Sequence, residues 1–247
     1  MSDVRVVRIP ILPFGMVNAH LLVGPQGCVL VDTGLPGSEP KVRKALRRLG
    51  LDYADLRLII ITHAHVDHAG SGLALRKRSG APIVAHAGDL DYFLQRRKME
   101  FCTTDWFSRL FLRMGLILRP YAPFQPDILL KDGETLDLAP YGFSGQVHHT
   151  PGHTEGSISA RLDGGDAMVG DLLASGVLLG GLIRTGHAKR PPFEDDPHLV
   201  ADELQALVDA GVQRFYMGHG GPLPAAEVQR HTHALRMLPK SAGKNCC

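Results

Sequence analysis

The 247-residue chain has little of several things, and each shortage excludes a class of protein. Its four cysteines, Cys28, Cys102, Cys246 and Cys247, form no CxxC pair, so neither a disulfide framework nor a cysteine-based metal knuckle is expected. No apolar run approaches the length of a transmembrane helix. The N-terminal stretch "MSDVRVVRIPILPF" lacks both a continuous apolar core and a small-residue cleavage site, so no secretory leader is expected and the expected location is cytoplasmic. Neither sign of charge dominates: 27 Lys and Arg stand against 25 Asp and Glu, for a formal net charge of +2. That balance is too mild to predict a nucleic-acid partner or a membrane surface. The final "NCC" superficially resembles a prenylation tail, but no polybasic segment supports an anchor, so a disordered tail is expected. There is no linker, low-complexity tract or obvious repeat, which leaves one domain over residues 1–247 as the expectation.

What is present is a soluble globular composition, 44% hydrophobic, long enough to bury a sizeable core. Strand-like segments "VRVVRIPIL", "NAHLLVG", "CVLVDTG", "LRLIIIT" and "APIVAH" fill the first part. A second group, "DILL", "GETLDL", "GQVHHT", "SISARL", "DAMVGD" and "RFYMG", follows, with "DGGD" as a hairpin turn. Helices are expected at "SEPKVRKALRRLG", which has a Ser cap, a basic last turn and a closing Gly, at "GLALRKRSG", and over residues 88–119, ended by Pro120, Pro123 and Pro126. Two more are expected at about 197–210 and at "AAEVQRHTHALRML", and a glycine-rich loop at 175–195. Strands in both halves, each accompanied by helices, predict two packed sheets with helices outside.

The segment "IIITHAHVDHAGSG" at 59–72 carries the chemistry. Side chains alternate along an extended segment, so His63, His65 and Asp67 share one face while Ala64 and Val66 face the core. His68 breaks the alternation and swings aside as the chain turns into a helix at Ala69–Gly70. Zinc takes about four ligands, and a catalytic site keeps one position open, so one segment cannot complete two coordination shells. Three other segments offer His or Asp where a strand ends: His153 in "HHTPGHTEGS", Asp171 in "AMVGDLL" and His219 in "FYMGHGGP", the last flanked by glycines that permit close backbone approach.

These motifs, "HAHVDH" at 63–68, "PGHTEGS" at 151–157, "GD" at 170–171 and "GH" at 218–219, with "VDTG" upstream at 31–34, resemble the metallo-β-lactamase superfamily in type and order across almost the whole chain. The resemblance implies an α/β fold, a four-layer αβ/βα sandwich of two mixed β-sheets, with a helical insertion at about 88–126. It implies that His63, His65 and His153 hold one metal, that Asp67, His68 and His219 hold the other, and that Asp171 bridges them. The cofactor implied is two divalent metal ions, zinc in the first instance, with iron or manganese as alternatives. Such a pair lowers the pKa of water and polarises a carbonyl or phosphoryl oxygen. Asp67 is a candidate proton acceptor, and Asp32 is the candidate to orient a ligating histidine.

The expected activity is hydrolysis of a small-molecule ester, thioester or lactone. The alternatives are a phosphodiesterase on the same site, a mononuclear-iron persulfide dioxygenase and a non-catalytic metal-binding protein. β-Lactamases of the family place Cys or Ser where this chain has Asp171. The tyrosine that follows the bridging aspartate in many lactonases is absent from "GDLLASG". No nucleic-acid or membrane partner is expected, and a homodimer is possible. "TTDWFSRLFLRMGLIL" carries Trp106, Phe107, Leu110, Phe111, Met114 and Ile117 at helical spacing. It reads as a core- or dimer-facing helix, as a lid over the metals, or as a membrane-surface helix. Arg184, His187, Lys189 and Arg190 are candidates for a substrate wall. Of the remaining histidines, His149 is the one most open to a functional role.

Overall fold

The computed structural model describes residues 4–115, 117–177 and 183–239. The first sheet has the order β1 (Arg5–Pro10), β2 (Asn18–Gly24), β3 (Gly27–Val31), β4 (Leu56–Ile60), β5 (Ile83–His86), β6 (Ile128–Leu130). The β1–β2–β3 pairs are antiparallel, and β3 through β6 run parallel. Parallel neighbours need crossovers, and helices α1 (Glu39–Arg48), α2 (Val66–Ala69) and α3 (Gly72–Ser79) supply the first two. The second sheet uses β7 (Thr135–Asp137), β8 (Gly145–His149), β9 (Ile158–Leu162), β10 (Asp166–Met168), β13 (Arg214–Tyr216) and β14 (Leu223–Pro224), ordered β14-β13-β10-β9-β8-β7. A two-residue pair, β11 (Ala174–Ser175) with β12 (Ala188–Lys189), stands apart from both sheets.

Period-two alternation sorts the strands into three apolar layers. Leu30 of β3 and Ile59 of β4 share a core with Val42 and Leu46 of α1 and Leu75 of α3. Their neighbours Val29, Val31, Leu58 and Ile60 face the other way and meet Val147, Ile158, Ala160 and Met168 of the second sheet. On the far side, Ala167 and Phe215 pack with Val200 and Leu204 of α6 (Pro197–Asp209) and Val228 and Leu235 of α7 (Ala225–Arg236). Fully burying each such aliphatic side chain contributes about 1.5–3 kcal/mol. Three apolar layers between helix, sheet, sheet and helix make the four-layer sandwich of two mixed sheets.

Some local expectations are corrected. Residues 88–119 are not one helical block: among the described residues of that range, α4 (Leu90–Phe93) and α5 (Trp106–Arg113) are the α-helices, after a 3₁₀ turn at Ala87–Asp89. Between them the chain is drawn out by distant partners: Thr103 bridges Phe193, the Glu194 amide donates to the Cys102 carbonyl, and the Thr104 amide donates to the Pro192 carbonyl. Ser38 holds the N-cap position of α1, but its side chain makes no capping bond. Cys28 is a buried free thiol, whereas Cys102 is disulfide-bonded, so the cysteines are not all free. The expected tail around Cys246–Cys247, and part of the expected loop at 175–195, lie outside the described residues. No helix among the described residues is long and apolar enough to cross a membrane.

Candidate metal centre

Six strands that run the same way within their sheets end at one edge of the sandwich, and side chains with metal-ligating atoms follow them. Asp32 comes after β3, His63 after β4, Asp89 after β5, His153 after β8, Asp171 after β10 and His219 after β13. In open α/β sheets, ligands gather outside the carboxyl ends of strands, where backbone direction changes and side chains converge. All seven residues expected at the site are brought together and buried: His63, His65, Asp67, His68, His153, Asp171 and His219.

The geometry falls into two halves. His153 Nε2 lies 3.2 Å from His63 Nε2 and 3.2 Å from His65 Nδ1. In the other half, Asp67 Oδ2 lies 3.8 Å from His68 Nε2 and 3.4 Å from His219 Nε2. Asp171 stands between: Oδ1 is 3.4 Å from His68 Nε2, and Oδ2 is 3.0 Å from His219 Nε2 and 3.9 Å from His153 Nε2. Glycine at 218 is a steric requirement. A Cβ there would lie 2.3 Å from His68 Cε1 and 2.4 Å from Asp171 Oδ1.

Electrostatics divide the halves in the same way. Burial, followed by repulsion from neighbouring imidazoles, holds His63 and His65 well below the ordinary histidine range, and burial takes His153 down to about 4. These three are neutral, the form that ligates metal. Burial also pulls on His68 and His219, but carboxylates outweigh it. Asp171, Asp32 and Asp67 hold His68 well above its usual value, and Asp171 and Asp67 raise His219. Burial pushes Asp171 up, yet His219 and His68 bring it well below the carboxylate range. A bound cation would replace those protons as the positive partner.

The residues fit divalent ions. His68 Nε2, Asp67 Oδ1 and Asp171 Oδ1 are buried without hydrogen-bond partners, and buried polar atoms rarely stay unsatisfied. The outer contacts fix the imidazoles in orientation. Asp32 takes up the expected position: Oδ2 lies 2.8 Å from His68 Nδ1, and Oδ1 accepts from the Thr62 amide and hydroxyl at 2.9 Å. Thr62 Oγ1 in turn lies 3.0 Å from His63 Nδ1. His219 Nδ1 donates to the Met16 carbonyl.

Sequence reasoning missed Asp89 and Tyr121. Asp89, fully buried and pushed up to about 6 by that burial, accepts from the Ala64 amide at 2.8 Å, the Thr154 hydroxyl at 3.0 Å and the Gly156 amide at 3.0 Å. Tyr121 donates to the Ala64 carbonyl at 2.9 Å. Ala64, between two candidate ligands, is thus held from both sides. The signal for Asp89 was its place just after an apolar strand, which the reading of 88–119 as one helix hid.

His149 stacks on His86 at 3.7 Å, with Asp132 nearby. The Gly88 amide donates to His86 Nδ1, which directs the Nε2 proton toward Asp132, and His149 Nε2 donates to the Glu155 carbonyl. Ring planes only 7° apart keep the in-plane lone pairs from converging on one ion, so this trio is a stacked imidazole pair beside a carboxylate, with Asp132 3.5 Å from His86 Nε2 and 3.7 Å from His149 Nδ1. Of the candidate wall residues, Arg190 is already engaged, its Nε 2.5 Å from the buried Glu194, and His187 Nδ1 lies 3.7 Å from Glu227.

The α5 helix is not a core helix throughout. Phe107 and Phe111 stack 6.3 Å apart facing inward, while Trp106, Leu110 and Met114 are 74%, 50% and 60% exposed. The inward face closes a cavity of about 350 Å³ that has Asp67 in its wall. That placement favours the lid over the core-facing reading.

A family model described as the metallo-beta-lactamase superfamily matches residues 12–219. The probable metallo-hydrolase YflN of Bacillus subtilis is 26% identical over 209 residues, 81% of this chain and 77% of that protein. The metallo-beta-lactamase family protein TTHA1429 from Thermus thermophilus superposes with a TM-score of 0.65 at 25% identity, covering 94% of this chain and 78% of that one. The BLEG-1 B3 metallo-beta-lactamase is alike in fold, with a TM-score of 0.66 at 24% identity over 94% of this chain and 99% of its own.

Proposed function

Because the chain belongs to the metallo-β-lactamase superfamily, we propose that it is a hydrolase with a two-ion centre, zinc in the first instance, acting on a small-molecule ester, thioester or lactone. The observation that carries this reading is Asp171, which stands between the two halves: Oδ1 lies 3.4 Å from His68, and Oδ2 lies 3.0 Å from His219 and 3.9 Å from His153. His63, His65 and His153 would hold one ion, Asp67, His68 and His219 the other, and Asp171 both. Bound there, divalent ions supply Lewis-acid polarisation of a carbonyl oxygen and make water acidic enough to act near neutral pH.

The chain's own residues do the rest. Asp67 is the one carboxylate of the cluster that also lines the apolar cavity. From that position its carboxylate can take the proton from attacking water and return it to the leaving group. Asp32 keeps His68 Nε2 free of its proton by accepting the one on Nδ1. Phe107 and Phe111 screen the cavity from solvent and so strengthen every charge interaction inside it.

The test is a hydrolysis screen of one metal-loaded preparation against lactones, thioesters, carboxylic esters, phosphodiesters and β-lactams. Turnover of an ester-like substrate, lost in Asp67→Ala, supports the reading. Turnover confined to phosphodiesters, or oxygen uptake with a single iron in place of hydrolysis, would replace it.

A further inference from the structure

Two cavities of opposite character meet beside the metal centre. The first, about 350 Å³, has Asp67 and Arg119 in its wall, and the rest of its lining is apolar, Leu12, Met16, Leu35, Phe107 and Phe111 among it. The second, about 600 Å³, has His65 in its wall. It is lined by four cations, Arg96, Arg97, Lys98 and Arg119, and by no carboxylate. Arg97 is engaged with Glu100 at 2.9 Å, but Arg96, Lys98 and Arg119 have no acidic partner among the described residues. Val66, Ile117 and Arg119 line both cavities, so the two are neighbours across the residue between His65 and Asp67. Both volumes lie in the range of small-molecule sites. The apolar one has room for on the order of ten water-sized groups, the bulk of a medium-length chain.

We propose that the substrate is an anionic amphiphile: an acyl chain of roughly eight carbons in the apolar cavity, an anionic leaving group among the arginines, and the scissile carbonyl at the centre between them. This rests on the hydrolase reading above. In the reaction, water oxygen adds to the acyl carbon, the C–S or C–O bond breaks, and the leaving group departs with one proton while the acid keeps the oxygen. The two cavities set specificity separately. Phe107 and Phe111 measure the chain. Arg119, which lines both, anchors the charge at the junction.

The test uses two series of thioesters, from acetyl to decanoyl, on 2-mercaptoethanesulfonate and on neutral 2-mercaptoethanol, below their micelle concentrations. The expected result is a kcat/KM that rises about fourfold per methylene until the cavity fills. The sulfonate series should be preferred about tenfold, the scale of one or two partly exposed charge pairs. Phe111→Ala, with Phe111→Leu as a milder second variant, should flatten the chain-length series and keep the sulfonate preference. Arg119→Gln should do the reverse. A readout without turnover comes from octanesulfonate, octanol and methanesulfonate binding, followed by the fluorescence of the single tryptophan, Trp106, and by calorimetry. Octanesulfonate should bind tightest. If octanesulfonate binds at these residues but no thioester, carboxylic ester or lactone is cleaved, the hydrolase reading fails and the amphiphile site stands. If short neutral thioesters are cleaved best, or octanesulfonate binds no better than methanesulfonate, the amphiphile proposal is overturned and the hydrolase reading survives.

Discussion

Replacing Asp32 by asparagine changes one proton's position and little else. The backbone at Asp32 is left-handed, φ 62°, a conformation that Asn tolerates as well as Asp. The amide oxygen can keep the Thr62 amide and hydroxyl bonds now made at 2.9 Å. The NH₂ group then faces His68 Nδ1, where a carboxylate oxygen now lies at 2.8 Å. Two donors cannot face each other, so the imidazole is driven to carry its proton on Nε2, the atom aimed at Asp171 and Asp67. Loss of such an orienting partner costs about 10- to 100-fold in metal affinity, or about 1.4–2.7 kcal/mol. The fold should lose no more than about 1 kcal/mol, one ordinary hydrogen bond. Asp32→Ala should cost the fold more, because the Thr62 amide and hydroxyl lose their acceptor and a non-Asx residue is strained at this φ. The assay is a competitive chelator titration at pH 7.5, paired with urea unfolding of the metal-free proteins. The ion proposed at Asp67, His68 and His219 should be affected by Asp32→Asn far more than the one proposed at His63, His65 and His153. An affinity within threefold of the parent for both ions would refute the argument that Asp32 sets the His68 tautomer.

Three further outcomes are expected. Gly218→Ala places a methyl 2.3 Å from His68 and should leave a folded protein with one ion weakened at least tenfold, measured by dialysis and metal analysis; unaltered binding of both ions would contradict the packing described. His231, buried in α7 and lowered to about 4 by that burial, binds fewer protons folded than unfolded between pH 6.5 and 4. Its contribution to stability is therefore present above pH 6.5 and lost as pH falls toward 4, by up to about 3 kcal/mol. Urea unfolding at pH 7 and 4.5 should show His231→Gln less acid-sensitive than the parent, and parallel pH profiles would sink the assignment. β-Lactam turnover should be at least about a hundredfold below that of the best ester-like substrate, about 2.7 kcal/mol of transition-state stabilisation. Asp171 adds negative charge between the two halves, and Arg190, tied to Glu194, is not free to anchor a lactam carboxylate. A side-by-side assay with a chromogenic cephalosporin decides it.

The parts of this molecule legible in the sequence are those set by local periodicity. Val29 and Val31 against Leu30, and Leu58 and Ile60 against Ile59, alternate between two cores, but the strand ends at Ile60 and Asp67 lies in α2, so that alternation does not extend to His63, His65 and Asp67. The distant members of the cluster, His153, Asp171 and His219, were legible because each follows an apolar strand by a few residues. What could not be read was fixed by contacts far away in the chain. The stretch between α4 and α5 is extended because residues 102–104 pair with 192–194. Asp89 matters only because the fold brings Ala64, Thr154 and Gly156 to it. The two cavities depend on where α5 and the 117–121 segment come to rest, which no local pattern specifies.

The central claim is a two-ion centre bridged by Asp171. Its most direct test is equilibrium dialysis of the full chain against zinc, followed by mass-spectrometric metal counting on the parent and on Asp171→Ala. The account predicts two ions per chain in the parent and about one in the variant, with the variant's circular dichroism unchanged. One ion or fewer in the parent at saturating zinc, or two ions held as tightly without the Asp171 carboxylate, would contradict it.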